Sequence, residues 1–134
     1  MELLKEMSTE ISLKELQTAI FESCEYLKLL GFNPAISLQK EYDFDAKCVI
    51  IMYEFFEYVV EGILEKPCDL LVRIYMKEDR AFLRMLLGID KICVDTNWNG
   101  SVLSSLGGEV KVTYDEDSSS VEICTRQEVK ENDN

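Results

Sequence analysis

The feature that most constrains this chain is a change of hydrophobic period near its middle. From Ala46 to Leu64 the apolar residues Val49, Tyr53, Phe56, Val60 and Ile63 recur at helical spacing and form one stripe. Beyond Lys66-Pro67, Val72, Ile74 and Met76 alternate with Arg73, Tyr75 and Lys77, and a second alternating run covers Ala81–Ile89. Glu78-Asp79-Arg80 between the two runs supplies a charged turn, so this stretch predicts a β-hairpin. A hairpin with one apolar face needs a helix to bury that face, and the preceding stripe provides one.

The flanking segments extend the pattern. Ser12-Leu13-Lys14-Glu15 has the spacing of a capping box, and Leu13, Leu16, Ile20, Leu27 and Leu30 follow at near-helical intervals, predicting a helix from Leu13 to Leu30. Gly31 suits its C-terminal end, and Asn33-Pro34 prevents continuation because proline lacks an amide donor. A short strand is expected around Ala35–Glu41. Asp45 can cap the second helix, whose extra apolar residues Ile51, Phe55 and Tyr58 mark it as central; Glu54, Glu57, Glu61 and Glu65 are its main polar residues.

After the hairpin, Ile92–Val94 can form a short strand, Asn97-Trp98-Asn99-Gly100 has turn composition, and Ser101–Leu106 reads as a short helix closed by Gly107-Gly108. Val110, Val112 and Tyr114, then Val121 and Ile123 beyond the polar loop Asp115–Ser120, predict a second hairpin. The expected class is α+β: a two-layer α/β sandwich whose mixed sheet is covered on one face by two long helices. Residues 1–125 read as one domain, and the polar tail from Arg126 to Asn134 is expected to be disordered.

Charge removes whole classes of function. There are 26 acidic against 14 basic residues, a formal net charge of −12, and no histidine. Such a chain repels phosphate backbones and anionic lipid unless it carries a basic patch, and none is visible along the sequence, which excludes nucleic acid as a partner. Without histidine there is no imidazole base, no phospho-acceptor histidine and no His-ligated metal. No run is apolar for the ~18 residues a membrane span requires, so direct membrane insertion is not expected, and Met1–Glu10 is too acidic for a signal peptide. The five cysteines, Cys24, Cys48, Cys68, Cys93 and Cys124, are scattered without a Cys-x-x-Cys pair, as expected of free thiols in a reducing cytoplasm.

Three places in this order resemble the ATP-binding domain of sensor histidine kinases and their relatives, the Bergerat-fold or GHKL ATPases, over roughly Ile11 to Thr125. The family carries a helical Glu followed four residues later by Asn. Here Tyr53-Glu54-Phe55-Phe56-Glu57-Tyr58 supplies Glu54 but puts Tyr58 in place of the Asn. Its next mark is Asp-x-Gly, whose carboxylate binds the adenine amino group; Asp90-Lys91-Ile92 keeps the Asp and replaces the glycine. Its last mark is glycine-rich, and Asn99-Gly100-Ser101 with Leu106-Gly107-Gly108-Glu109 is similar to a shortened version.

The resemblance implies ATP with Mg²⁺ as cofactor, Glu54 as the catalytic, metal-side carboxylate, and Tyr58, Asp90, Gly100, Gly107 and Gly108 at the nucleotide-binding positions. It implies no metal held by the protein alone, a cytoplasmic place in two-component signalling, and transfer of the γ-phosphate to a histidine on another segment. The partners it implies are a signalling protein or the chain's own upstream dimerisation segment, including a homodimer. A neutral phenol is a poor ligand for a hard cation, and branched Ile92 fills the space that glycine leaves for a base, so weak or lost nucleotide binding is expected. The alternative is a non-catalytic protein-interaction module on the same fold, with Trp98 in its polar loop as an exposed anchor.

Overall fold

The protein is described by a computed structural model that covers residues 10–38 and 43–126. A short ribbon pairs β1 (Glu10–Ser12) antiparallel with β3 (Asp43–Asp45), and each of its strands leads directly into a long helix: α1 (Leu13–Leu29) and α2 (Ala46–Ile63). The Ser12–Glu15 and Asp45 capping positions therefore fall where strand passes into helix. The sheet comprises β2 (Asn33–Leu38), β4 (Asp69–Lys77), β5 (Arg80–Leu87), β6 (Glu109–Tyr114) and β7 (Ser119–Arg126), in the order β2-β4-β5-β7-β6. β2 runs parallel to β4 and every other pairing is antiparallel. A third helix, α3 (Gly100–Ser105), precedes β6. The expected two-layer α+β sandwich with a mixed sheet is the fold observed.

Local chemistry explains the joints. α1 closes through Gly31, whose φ of 98° needs glycine, and Gly31 lies against Pro67, so the C-terminal ends of α1 and α2 are neighbours. Pro34 is tolerated because β2 is an edge strand, where a missing donor costs little. The β4–β5 turn is tight enough to put Glu78 in the left-handed region at φ 58°.

Strand alternation then sorts the side chains. Val72, Ile74, Leu83, Met85, Val121 and Ile123 are fully buried on one face, against Phe55, Phe56, Met52 and Val59 of α2 and Leu16, Ile20 and Leu27 of α1. Burial of that many large apolar side chains, each contributing roughly 1.5–3 kcal/mol, is the main drive to this packing.

Three expectations change. Ile92–Val94 is irregular chain, not a strand, because Ile92 turns into the core and its carbonyl accepts the Tyr114 hydroxyl at 3.0 Å. β2 begins at Asn33, two residues earlier than expected; the predicted strand's last residues, 39–41, lie outside the described ones. Arg126 belongs to β7: its N–H donates to the Leu106 carbonyl at 3.0 Å and its guanidinium pairs with Asp79 at 3.3 Å. The rest of the predicted tail, residues 127–134, lies outside the described residues. Cys24, Cys48, Cys68, Cys93 and Cys124 are free thiols, and burial pushes Cys24 and Cys68 above the usual thiol pKa. Among the described residues no helix is long and apolar enough to cross a membrane.

Candidate functional site

The three marked stretches fall in different parts of the fold: on α2, beyond the end of β5, and around α3. Glu54 stands exposed on α2, with no hydrogen bond or ion pair among the described residues. One turn on, Tyr58 is half-buried and held at both ends. Its hydroxyl accepts the Asp95 N–H at 2.9 Å, and its ring stacks on Trp98 with centroids 5.5 Å apart and planes 22° from parallel. Trp98 also leans on Phe55, at 5.4 Å and 59°, and Phe55 is fully buried.

Residues 91–99 are thus strapped onto α2 by an aromatic triplet. The strap has its own internal order: the Asp95 carboxylate accepts the Asn97 N–H at 2.9 Å and the Asp95 carbonyl accepts the Trp98 N–H at 3.0 Å. Trp98, expected as an exposed anchor, is half-buried because the strap turns it inward.

The glycines serve the backbone around them. Gly100 opens α3 behind a left-handed Asn99, and a Cβ there would come 2.5 Å from the Asn97 side-chain oxygen. At the other end of α3, Gly107 adopts φ 63°, its N–H donates to the Ser104 carbonyl at 3.1 Å, and the Gly108 N–H donates to Leu103 at 2.8 Å. This is the Schellman pattern, which satisfies the last carbonyls of a helix. Gly108 also passes against the Cys124 carbonyl so closely that a Cβ would collide with it. The two amides that could cradle a phosphate are already committed.

Asp90 lies at the opposite end, exposed, just beyond β5. The chain before it is fixed by the Ser119 hydroxyl, which donates to the Ile89 carbonyl at 2.8 Å. Beside it a cleft of about 550 Å³ opens between the end of α2 and residues 89–93, with Ile63, Ile89 and Ile92 as its floor and Lys66, Lys91 and Cys93 toward its mouth. Glu61 and Glu65 border it on α2.

The structure therefore brings Tyr58 together with Trp98, leaves Asp90 exposed outside the lining of the cleft that its neighbours Ile89 and Lys91 help form, and sets Gly107 and Gly108 against β7. Sequence reasoning missed Asp95, which holds Tyr58; the Asp95-x-Asn97 spacing, a side-chain turn signal, could have revealed it. It also missed Lys66 and Lys91, which only the folding of α2 against the 89–93 segment brings to one cleft. At the positions that the resemblance gives to Mg²⁺ and the phosphates, Tyr58 is a phenol already engaged by an amide and the Gly107 and Gly108 amides cap a helix, a donor set that does not fit a Mg²⁺-bound triphosphate. Among the described residues no cluster of three acidic or thiol groups could hold a metal ion.

No family model and no curated protein matches this chain. Solved structures do. The histidine kinase AdeS of Acinetobacter baumannii superposes with a TM-score of 0.68 at 10% identity, covering 90% of this chain and 67% of that one. The catalytic domain of the histidine kinase ThkA gives 0.67 at 12% identity, covering 89% of this chain and 96% of that domain. ThkA solved in complex with the response regulator TrrA gives 0.67 at 8% identity, over 90% of this chain and 42% of that one. At such identities the likeness is one of architecture, and it is nearly complete for this chain: the protein has the fold of a histidine kinase catalytic domain.

Proposed function

We propose that this chain is a divergent ATP-binding domain of a sensor histidine kinase-like signalling protein, in which nucleotide binding is weak or lost and the fold works through contact with another protein. The observation that carries this reading is the Asp95–Tyr58–Trp98 strap, which spends the helix position facing the phosphates on an internal hydrogen bond and a ring stack. Glu54 keeps the carboxylate that the resemblance calls for one turn away, and Asp90 keeps the adenine-side one, exposed next to Ile89 and Lys91 of the cleft. With the two ends so unequal, binding of a base without its phosphates is the most the site supports, and a pseudokinase role follows.

ThkA was solved with a response regulator. A partner signalling protein of that kind, or a dimerisation segment of the same signalling protein, is the natural counterpart of a domain with this fold, in the cytoplasm where two-component signalling operates.

Thermal unfolding with and without millimolar Mg-ATP, Mg-ADP and adenosine tests the reading. A ligand at 100 times its dissociation constant stabilises a fold by about 2.7 kcal/mol. The expected result is no shift in midpoint with Mg-ATP beyond that given by adenosine. A larger shift with Mg-ATP, abolished in Asp90→Asn, would overturn the loss of phosphate binding and restore an ATPase-type function.

A further inference from the structure

The face of the sheet turned away from the helices has an order that the acidic composition hides. The register aligns Lys77, Arg80 and Arg126 in one row across β4, β5 and β7; Tyr75, Phe82 and Cys124 in the next; and Arg73, Arg84 and Glu122 in the third, with Lys111 of β6 completing it. All four arginines of the chain stand in these rows. Sequence alone shows no basic patch because the cations are spread over four strands; the fold assembles one.

Two features mark it as more than a solvated surface. Arg73 and Arg84 are directly opposite one another on neighbouring strands, and like charges in that relation destabilise a sheet. Among the described residues neither has an acidic partner within salt-bridge distance, and nor has Arg80. Arg73 hovers 5.8 Å from the Tyr75 ring, Arg84 donates to the Ser120 hydroxyl at 3.0 Å, and Arg80 reaches the Gly107 carbonyl at 3.5 Å and the Cys124 sulfur at 3.7 Å. The nearby Glu122 carboxylate accepts the Tyr75 hydroxyl at 2.8 Å instead. Between the two cationic rows, Tyr75 and Phe82 stack with centroids 4.9 Å apart and planes 5° from parallel, a half-buried apolar plate.

We propose that this face is a docking surface for an extended acidic segment of a partner protein. The spacing specifies its pattern. Rows two residues apart along a strand are separated by roughly 6.7 Å, so the Arg80 and Arg84 rows lie about 13 Å apart with the aromatic plate halfway. An extended peptide repeats its own faces at the same interval, and the pattern acid-x-apolar-x-acid puts a carboxylate on each cationic row and the apolar side chain on the Tyr75–Phe82 plate. A carboxylate received between Arg73 and Arg84 turns their mutual repulsion into a bidentate attraction. The surface is on the opposite side of the sheet from the Asp90 cleft, so the proposal stands whether or not that cleft takes a nucleotide.

Binding of short fluorescent peptides to the full chain is the test. A peptide containing Glu-Ser-Leu-Ser-Glu is expected to bind saturably, more weakly as salt is raised. Gln-Ser-Leu-Ser-Gln and Glu-Ser-Ser-Ser-Glu are expected to bind at least about tenfold more weakly. Arg73→Gln and Arg84→Gln should each cost about tenfold in affinity, while the unfolding midpoint of the free protein holds or rises because a repulsion is relieved. That last readout separates the proposal from a structural role, in which either substitution would lower the midpoint. Equal binding of the Gln peptide, retention of binding in the double variant, or no saturable binding of any peptide would overturn it. So would inorganic phosphate competing as well as the peptide does, since that marks a small-anion site and not a protein-docking surface.

Discussion

The helix-covered side of the sheet and its open face treat polar groups in opposite ways. On the helix side the chain satisfies itself: Tyr58 takes an amide from Asp95, Trp98 is sandwiched against Tyr58 and Phe55, and the Gly107 and Gly108 amides cap α3. On the open face Arg73, Arg80 and Arg84 carry charge that no carboxylate among the described residues meets in an ion pair. The sheet order and helix layer of a histidine kinase catalytic fold are thus kept here, with Tyr58, Trp98, Gly107 and Gly108 engaged in internal packing and capping. What holds the strap closed is aromatic contact, which is worth more the better it is buried.

The largest effect is expected where the strap meets the core. Phe55→Ala removes a fully buried ring that supports both Tyr58 and Trp98, and should cost about 3–5 kcal/mol in urea unfolding. Trp98 is the only tryptophan, so its emission reports the strap directly and should move to longer wavelength in the variant. Unchanged emission alongside the loss in stability would show that the strap is held by something other than the triplet.

Tyr58→Asn sharpens the comparison at its functional edge. It supplies the side chain the family has at this position and removes both the ring stack and the Asp95 hydrogen bond, at a cost of about 1–3 kcal/mol. No stabilisation by Mg-ATP is expected in return, because the Gly107 and Gly108 amides remain committed to the Ser104 and Leu103 carbonyls respectively. A gain of Mg-ATP binding from this single change would reduce the closure of the site to one residue.

Substitution at Thr125 has the opposite sign. Its hydroxyl is fully buried on the core face of β7 with no hydrogen-bond partner among the described residues. Thr125→Val keeps the shape and removes an unsatisfied group, so stability should rise by about 1 kcal/mol. A fall would mean that the hydroxyl has a partner and that the helix side is more polar than its packing implies.

Much of this organisation was legible in the sequence, and the limits have physical causes. α2 and the β4–β5 hairpin follow from periodicity because one face of each is buried and composition must obey that face. Pro34 and Gly31 likewise fix the end of α1 through backbone constraints that act locally. Ile92–Val94 misleads because an apolar triplet next to a strand end has the composition of a strand, whereas its burial comes from a single residue turning inward. The roles of Tyr58 and Trp98 depend on the 39 residues of intervening chain returning to α2, which no local signal encodes. The arginine rows were hidden for a similar reason: Arg73 comes opposite Arg84, and Arg80 opposite Arg126, only through strand register.

The smallest effect lies at the centre of the open face and follows from pH. Burial first, then the hydrogen bond and negative charge of Glu122, push the Tyr75 phenol up to about 12, while Arg84 and Arg73 pull it the other way. An acid whose folded pKa is raised favours the fold in its protonated form. In the window between the ordinary tyrosine value of about 10 and 12, the unfolded chain has released this proton while the folded one retains it. The contribution is therefore complete below about pH 10 and is lost as pH rises through the folded value. Glu122→Gln removes the negative charge and leaves a neutral amide oxygen, a weaker acceptor for the hydroxyl, so the Tyr75 titration, read as the tyrosinate absorbance missing from Tyr75→Phe, should move down toward the ordinary range. With the neutral amide in place, Arg73 and Arg84 lose their nearest compensating charge, and the acidic peptide should bind more tightly. A titration that stays near 12 in Glu122→Gln would show that burial alone sets it and that Glu122 does not tune the cations beside it.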